Sequence, residues 1–141
     1  MTHFSIEELC ITQHKEIDNT PDEDVRKNLE QLIFKLETVR TILGRPMIIT
    51  SGFRCLKLNR CVGSKDNSAH VKGLAADFIC PSFGTAEEVF KELKKEPTFL
   101  YDQLILETLK GRSWIHLGIT EPNKPMRKQA LIIDSLGTHY A

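Results

Sequence analysis

The apolar positions between residues 21 and 43 recur at steps of three and four residues. They are Val25, Leu29, Leu32, Ile33, Leu36, Val39 and Leu43. This spacing predicts one long amphipathic helix that buries a single face. Thr20 is typical of its N-cap and Pro21 of its first helical position, and Gly44 followed by Pro46 ends it.

Short runs rich in β-branched and other apolar residues predict the strands. They cover residues 47–50, 74–80, 103–107 and 114–119, and residues 130–133 form either an edge strand or a tail segment. Further helices are predicted over residues 4–9, 55–61 and about 86–95, with Ser5 capping the first and a Thr85–Glu88 capping box starting the last. Helices on one side of a small, mostly antiparallel sheet make an α+β fold.

Composition narrows the class of protein. The chain has 141 residues, 40% of them hydrophobic and 27% charged, which is typical of a single globular domain over residues 1–141. Nineteen basic residues balance 19 acidic ones, so we expect neither a nucleic-acid nor a membrane partner. No apolar run approaches the roughly 20 residues that span a bilayer.

The N-terminus carries acids where a secretion signal needs a basic start. We therefore expect synthesis in the cytoplasm and export by another route. The cysteines, at positions 10, 55, 61 and 80, include no Cys-x-x-Cys pair and predict reduced, mostly buried thiols. Whether Cys55 and Cys61 form a disulfide stays open at this stage.

Two of the five histidines stand in unusual contexts. His70 precedes a strand that contains Asp77 among apolar neighbours, and a carboxylate buried there needs a partner or a cation. His116 lies in a strand whose alternation sends Ile115 and Leu117 to the core and Trp114 with His116 to the other face. Asp77 could instead cap a neighbouring backbone, and each histidine could be an ordinary hydrogen-bonded residue. Two imidazoles and one carboxylate are, however, a common set of ligands for catalytic zinc.

The segment 68–77 has the pattern Ser-x-His-x-x-Gly-x-Ala-x-Asp, and Trp-x-His follows at 114–116. Together they resemble the zinc D-Ala-D-Ala carboxypeptidase family of D,D- and L,D-peptidases, which share the hedgehog-type fold. The Ser-Gly-Phe-Arg run at 51–54 is similar to another segment of that family. Residues 4–9 and 17–21 look like its small branch found in phages and prophages.

The resemblance implies that His70, Asp77 and His116 bind Zn²⁺. It places Arg54 in the cleft, where a guanidinium can bind a substrate carboxylate or stabilise a carbonyl oxygen; a structural salt bridge is the alternative. Ser68 either orients His70, contacts substrate or simply caps the loop. Trp114 is a further expected contact with substrate.

The chain departs from the family at one important position. Many members carry a glutamate, the general base, three residues before the last zinc histidine, where this chain has Ser113. Glu107 is the best substitute, because alternation from Leu104 places Gln103 and Glu107 on the cleft face with His116. A merely solvated Glu107 is the alternative, and Asp102 is less favoured as a base.

The resemblance thus implies a zinc metallopeptidase that hydrolyses an amide bond in peptidoglycan stem peptides, either as a carboxypeptidase or as an endopeptidase. A monomeric phage-lysin-like enzyme acting at the cell wall is the expected form. A zinc-containing wall-binding module with weak or no activity and a phage structural component are the alternatives.

Overall fold

The computed structural model describes residues 3–141. Its helices are α1 (Ile6–Leu9), α2 (Glu23–Leu43), α3 (Leu56–Cys61) and α4 (Ala86–Lys95), with a turn of 3-10 helix over Ala69–Lys72. Its strands are β1 (Ile48–Ser51), β2 (Ala75–Ile79), β3 (Gln103–Leu109), β4 (Arg112–Gly118), β5 (Gln129–Asp134) and β6 (Gly137–Tyr140). None of the helices in this range is long and apolar enough to cross a membrane.

The strands form one six-stranded sheet in the order β1-β2-β4-β3-β5-β6. All neighbours are antiparallel except β3 and β5, which run parallel. The predicted α+β class with a mostly antiparallel sheet is therefore confirmed. The strand predicted at residues 130–133 is present as β5, but its expected place at the edge of the sheet is wrong, because β6 covers the outer side of β5.

One face of the sheet carries the hydrophobic core. Leu29, Leu32 and Leu36 on α2 are fully buried, and they belong to the same cluster as Ile115 and Leu117 on β4. Val89, Phe90 and Leu93 of α4 complete this cluster. Since side chains alternate along a strand, the residues between the core positions emerge on the opposite face, where the polar groups described below lie.

Helix α2 ends at Leu43 as predicted, with Gly44 in the left-handed conformation at φ 65°. Its start differs from the prediction: the N-cap is Asp22, whose side chain accepts a hydrogen bond from the Val25 N–H. Thr20 lies two residues before this cap, and its hydroxyl and backbone N–H donate to Asp18. The predicted caps of α1 and α4 are present, including the Thr85–Glu88 capping box.

All four cysteines are free thiols. Cys80 is buried, Cys10 and Cys55 are half-buried, and Cys61 is exposed at the end of α3. The expectation of reduced thiols agrees with the structure, but the expectation that most of them are buried does not.

Candidate metal centre

Strand register brings the candidate ligands of β2 and β4 together. Asp77 pairs directly with His116 on one side and with Ser51 of β1 on the other. Their neighbours Phe78 and Ile115 point into the core. Asp77 and His116 therefore project side by side from the face of the sheet that lies opposite the core.

His70 reaches the same point from the 3-10 turn that precedes β2. The Ser68 hydroxyl caps this turn by accepting a hydrogen bond from the His70 backbone N–H at 3.3 Å. Gly73 ends it at φ 73°, a conformation that glycine adopts without strain. The turn folds the His70 side chain back over β2, where it is only 3% exposed.

The three side chains converge on one oxygen of Asp77. His70 Nε2 lies 3.3 Å from Asp77 Oδ1, and His116 Nδ1 lies 3.0 Å from the same atom. One ligand atom from each residue lies within 4.8 Å of the other two. Ligands about 2.0–2.1 Å from a tetrahedral zinc ion stand about 3.3 Å apart, so these spacings fit a shared zinc ion.

The hydrogen bonding of His70 argues independently for a cation. Its Nδ1 lies 2.7 Å from the Gly52 carbonyl oxygen, which can only accept, so Nδ1 carries the proton. A neutral His70 then presents the lone pair of Nε2 to the Asp77 carboxylate. Two acceptors at that distance repel each other unless a cation or a second proton lies between them. Two imidazoles and a carboxylate favour zinc over magnesium or calcium.

The charges within this cluster are those that a metal site needs. Burial raises the pKa of Asp77, but the hydrogen bonds and charges of His116 and His70 outweigh burial and hold the pKa well below its usual range. Burial lowers the pKa of His116, and the neighbouring Asp77 more than reverses this effect. Asp77 is thus anionic, and a bound cation would displace the proton that His116 takes up in its absence.

Arg54 is held beside the cluster by its backbone. Its N–H donates to the His70 carbonyl oxygen at 3.1 Å, which joins the loop after β1 to the 3-10 turn. Burial lowers the pKa of the Arg54 guanidinium, and the charges of Asp77 and Glu107 oppose that effect. Arg54 forms no salt bridge with any residue in 3–141, and its Nε is buried without a hydrogen-bond partner. The alternative of a structural salt bridge is therefore not what the structure shows.

Sequence reasoning missed the residues that hold this loop in place. The buried Asn19 donates to the carbonyl oxygens of Cys10 and Phe53, and its own carbonyl oxygen accepts from the Cys55 N–H at 2.7 Å. The only signal for Asn19 was that it lies in the 17–21 segment singled out for its resemblance. The carbonyl of Gly52 had no signal, because any residue type supplies a carbonyl oxygen.

Glu107 lies on the same face as the cluster. It pairs with Trp114, which is two residues from His116 on β4. Such diagonal neighbours stand about 7–8 Å apart, within reach of a long side chain. Burial raises the pKa of Glu107, and the negative charge of Asp77 raises it further. The Trp114 side chain lies beside Glu107, and its interaction with the carboxylate, together with the charge of His116, partly offsets this rise.

The remaining predicted residues occupy less central positions. Gln103 is in register with Gly118, and its side-chain amide donates to Gln129 of β5 at 2.8 Å. Ser113 is exposed and hydrogen-bonds to Thr108. It lies on the same side of β4 as Ile115, so its side chain projects away from the cluster. Asp102 is bound by Arg127 through both carboxylate oxygens. Of the two carboxylates considered as the base, Glu107 is the one that forms no salt bridge within residues 3–141.

Comparison with known proteins places this centre in a family. A search of curated proteins returns no match to the chain. The family model described as Peptidase M15 matches residues 2–118, which run to the end of β4 and include the three converging side chains, Arg54 and Glu107. The match covers most of the chain, which therefore belongs to the Peptidase M15 family.

Proposed function

We propose that this protein is a zinc peptidase that hydrolyses an amide bond in peptidoglycan stem peptides. Membership of the Peptidase M15 family supports a peptidoglycan-acting metallopeptidase in general terms. The observation that carries the specific proposal is the convergence of His70 Nε2 and His116 Nδ1 on one Asp77 oxygen, beside a free arginine and a half-buried glutamate.

His70, Asp77 and His116 would hold the ion and leave a fourth position open. Zinc in such a site lowers the pKa of a bound water and polarises a carbonyl group. The protein's own contribution begins with the Gly52 carbonyl, which fixes the tautomer of His70 and aims Nε2 into the cluster. Such partners of a ligand commonly change metal affinity by about 10–100-fold when they are removed.

Glu107 is the proposed general base. Its carboxylate takes a proton from the attacking water and returns it to the leaving amine. Burial and the charge of Asp77 raise the pKa of Glu107, which brings it nearer to neutral pH and suits a group that must both accept and donate a proton. This assistance is worth about 10²–10⁴-fold in rate.

Arg54 is proposed to bind a carboxylate of the substrate or to stabilise the negative charge that develops on the carbonyl oxygen. A guanidinium presents two parallel donors to a carboxylate, and one already partly stripped of water binds an oxyanion more strongly than an exposed one. Ser68, Gln103 and Trp114 are proposed as further substrate contacts.

The finer parts of the proposal rest on the sequence resemblance. They are a lysin-like role in a phage or prophage, action on the cell wall and a monomeric state. The proposed lack of nucleic-acid and membrane partners rests instead on the balance of 19 basic and 19 acidic residues. The segments 4–9 and 17–21 are the features that suggest the phage branch.

The direct test is digestion of purified peptidoglycan with the zinc-loaded protein, with and without a chelator. Mass spectrometry should detect peptide fragments only when zinc is present. Glu107→Gln should bind zinc and release almost no fragments, whereas Glu92→Gln, a change on the surface of α4, should behave as wild type. Fragments that persist in the chelated protein would refute the proposal.

One observation favours a second candidate, a wall-binding module without catalysis. The position that bears the base in many family members is Ser113, whose side chain projects away from the cluster. If the zinc-loaded protein sediments with peptidoglycan but releases no fragments, the binding module is the correct description. A phage structural component whose cleft recognises the cell wall would also sediment without releasing fragments, and it would in addition dock to a partner protein through an exposed apolar patch.

A further inference from the structure

A groove runs along the outer edge of β1 and ends at Gly52 and Arg54. Its walls are β1 itself and the chain at residues 11–14, and its volume is about 670 Å³. Gly52 and Arg54 line the end nearest the cluster. A volume of this size lies within the range of ligand-binding clefts in proteins.

The floor of the groove is an unpaired strand edge. β1 pairs with β2 on one side, and no strand among residues 3–141 covers its other side. Such an edge presents backbone N–H and C=O groups to any extended chain that lies alongside it. The four residues of β1 extend over about 14 Å, which is enough to align three or four residues of a peptide.

The rim of the groove is apolar although it faces solvent. Ile11, Ile48 and Val62 are 69%, 52% and 45% exposed, and all three line the groove. Large apolar side chains grouped around one cleft indicate a binding surface. An extended peptide would place alternate side chains against this rim while its backbone follows β1.

The end of the groove at the metal centre is polar and distorted. The register of β1 against β2 shifts between Ile49 and Ser51, so Thr50 forms a bulge. Bulges beside active sites redirect the strand and its side chains. Beyond the bulge stands Arg54, the cation without a salt-bridge partner in the described chain. The Phe53 N–H already donates to the Leu9 carbonyl oxygen. A peptide that pairs with β1 would therefore end its pairing before Phe53, at the end of the groove that Arg54 lines.

There is also space on the opposite side of the cluster. A second cleft of about 460 Å³ lies next to Glu107 and Trp114, between the β3–β4 turn and the end of β5. The three ligands thus stand between two open clefts. A site that only removes a terminal residue needs room for a chain on one side alone.

We propose that the β1 groove binds an extended segment of the substrate by strand addition, and that the enzyme consequently cleaves within a peptide chain and not at its carboxyl end. This inference rests on the proposed function. It commits the groove to one occupant, the peptide chain of the substrate, because Arg54, the proposed partner of the substrate's charge, lines the end of the groove.

Binding can be tested separately from catalysis. Soluble cross-linked muropeptides, in which the chain continues on both sides of the cross-link, are added to zinc-loaded Glu107→Gln protein. The amide resonances of residues 48–51 should shift in NMR spectra, and their hydrogen exchange should slow. Perturbations confined to the surroundings of Trp114, with none along β1, would overturn the groove assignment.

Activity supplies the second test. Cross-linked muropeptides should be cleaved faster than uncross-linked pentapeptide stems by about tenfold or more, because binding along β1 contributes over 1 kcal/mol. Ile11→Glu and Val62→Glu should raise KM on the cross-linked substrate several-fold with little change in kcat. Phe34→Glu, an equally exposed apolar position on α2, is the matched control and should match wild type.

The outcomes separate this inference from the proposed function. Release of only the terminal residue from pentapeptide stems would overturn the inference and leave the peptidase proposal standing. No cleavage of either substrate by the zinc-loaded protein would overturn both. Circular dichroism and melting curves of the groove variants establish that any change in KM does not come from unfolding.

Discussion

Asp77→Asn tests the metal centre most directly. The substitution keeps the size of the side chain but removes the charge of the oxygen on which both imidazoles converge at 3.0 and 3.3 Å. It leaves two neutral nitrogens without the anionic ligand between them. We expect zinc affinity to fall by at least about 100-fold, because removing even a residue that only supports a ligand costs up to about that much.

The loss can be expressed as thermal stability. At a free zinc concentration 100 times the wild-type Kd, the bound ion stabilises the folded protein by about 2.7 kcal/mol. With affinity reduced 100-fold, the same concentration stabilises Asp77→Asn by only about 0.4 kcal/mol. For a chain of this length the difference of about 2.3 kcal/mol corresponds to roughly 7–9 °C in Tm.

The assay is the Tm of each variant with zinc minus its Tm with chelator, so that effects of the substitution on the metal-free protein cancel. Asp66→Asn, at an exposed carboxylate paired with Arg60, is the control and should keep the full zinc-dependent increase. An Asp77→Asn protein that retains the full increase would show that Asp77 is not a ligand.

Three further predictions concern the surroundings of the centre. Glu107→Gln should lower kcat/KM by about 10²–10⁴-fold at unchanged zinc stoichiometry. The activity of the wild type should fall as the pH drops through a pKa above the ordinary carboxyl value of 4.5, because the pKa of Glu107 is raised. Gly52→Ala should weaken zinc binding and destabilise the fold, since a Cβ there would stand 2.2 Å from the Leu9 carbonyl oxygen. Asp102→Asn should lower the free energy of unfolding in urea by about 1–2 kcal/mol, because the mostly buried Asp102 carboxylate loses its charge-assisted hydrogen bonds from Arg127. Asp66→Asn should have no measurable effect on this free energy.

Each of these predictions has an outcome that contradicts it. Full activity in Glu107→Gln, or an acid limb of the rate profile at or below the ordinary carboxyl pKa, would remove Glu107 as the base. Wild-type zinc affinity in Gly52→Ala would mean that the loop can shift without disturbing His70. Equal stability losses at Asp102 and Asp66 would mean that burial of the carboxylate does not strengthen the pair.

The helices were predictable because their signals are local. The three- and four-residue periodicity of α2 and the capping box of α4 are contained within one helix, and both agree with the structure. The start of α2 was not predictable, because Thr20 and Asp22 both suit an N-cap. In the structure Thr20 donates to Asp18, and Asp22 is the residue that caps the helix.

The far side of the sheet was harder to predict. β6 is exposed along its whole length, so no alternation of apolar and polar residues marks it. Without a signal for β6, residues 130–133 are interpreted as an edge strand or a tail.

The metal centre was only partly predictable. The ligand motif indicated which residues meet, but the contact of His70 with the Gly52 carbonyl joins segments 18 residues apart through a backbone atom that carries no sequence signal.

The path from the N-terminal segment to the cluster has a practical consequence. The Leu9 carbonyl accepts a hydrogen bond from the Phe53 N–H, and the Asn19 side chain donates to the Phe53 carbonyl. The carbonyl of the neighbouring Gly52 accepts from His70 Nδ1 and so orients the His70 ring. A shortened clone that begins at α2 would retain every proposed ligand and yet lose the support that orients one of them. We therefore expect such a shortened protein to bind zinc more weakly, and its inactivity in a peptidase assay would not count against the proposed function.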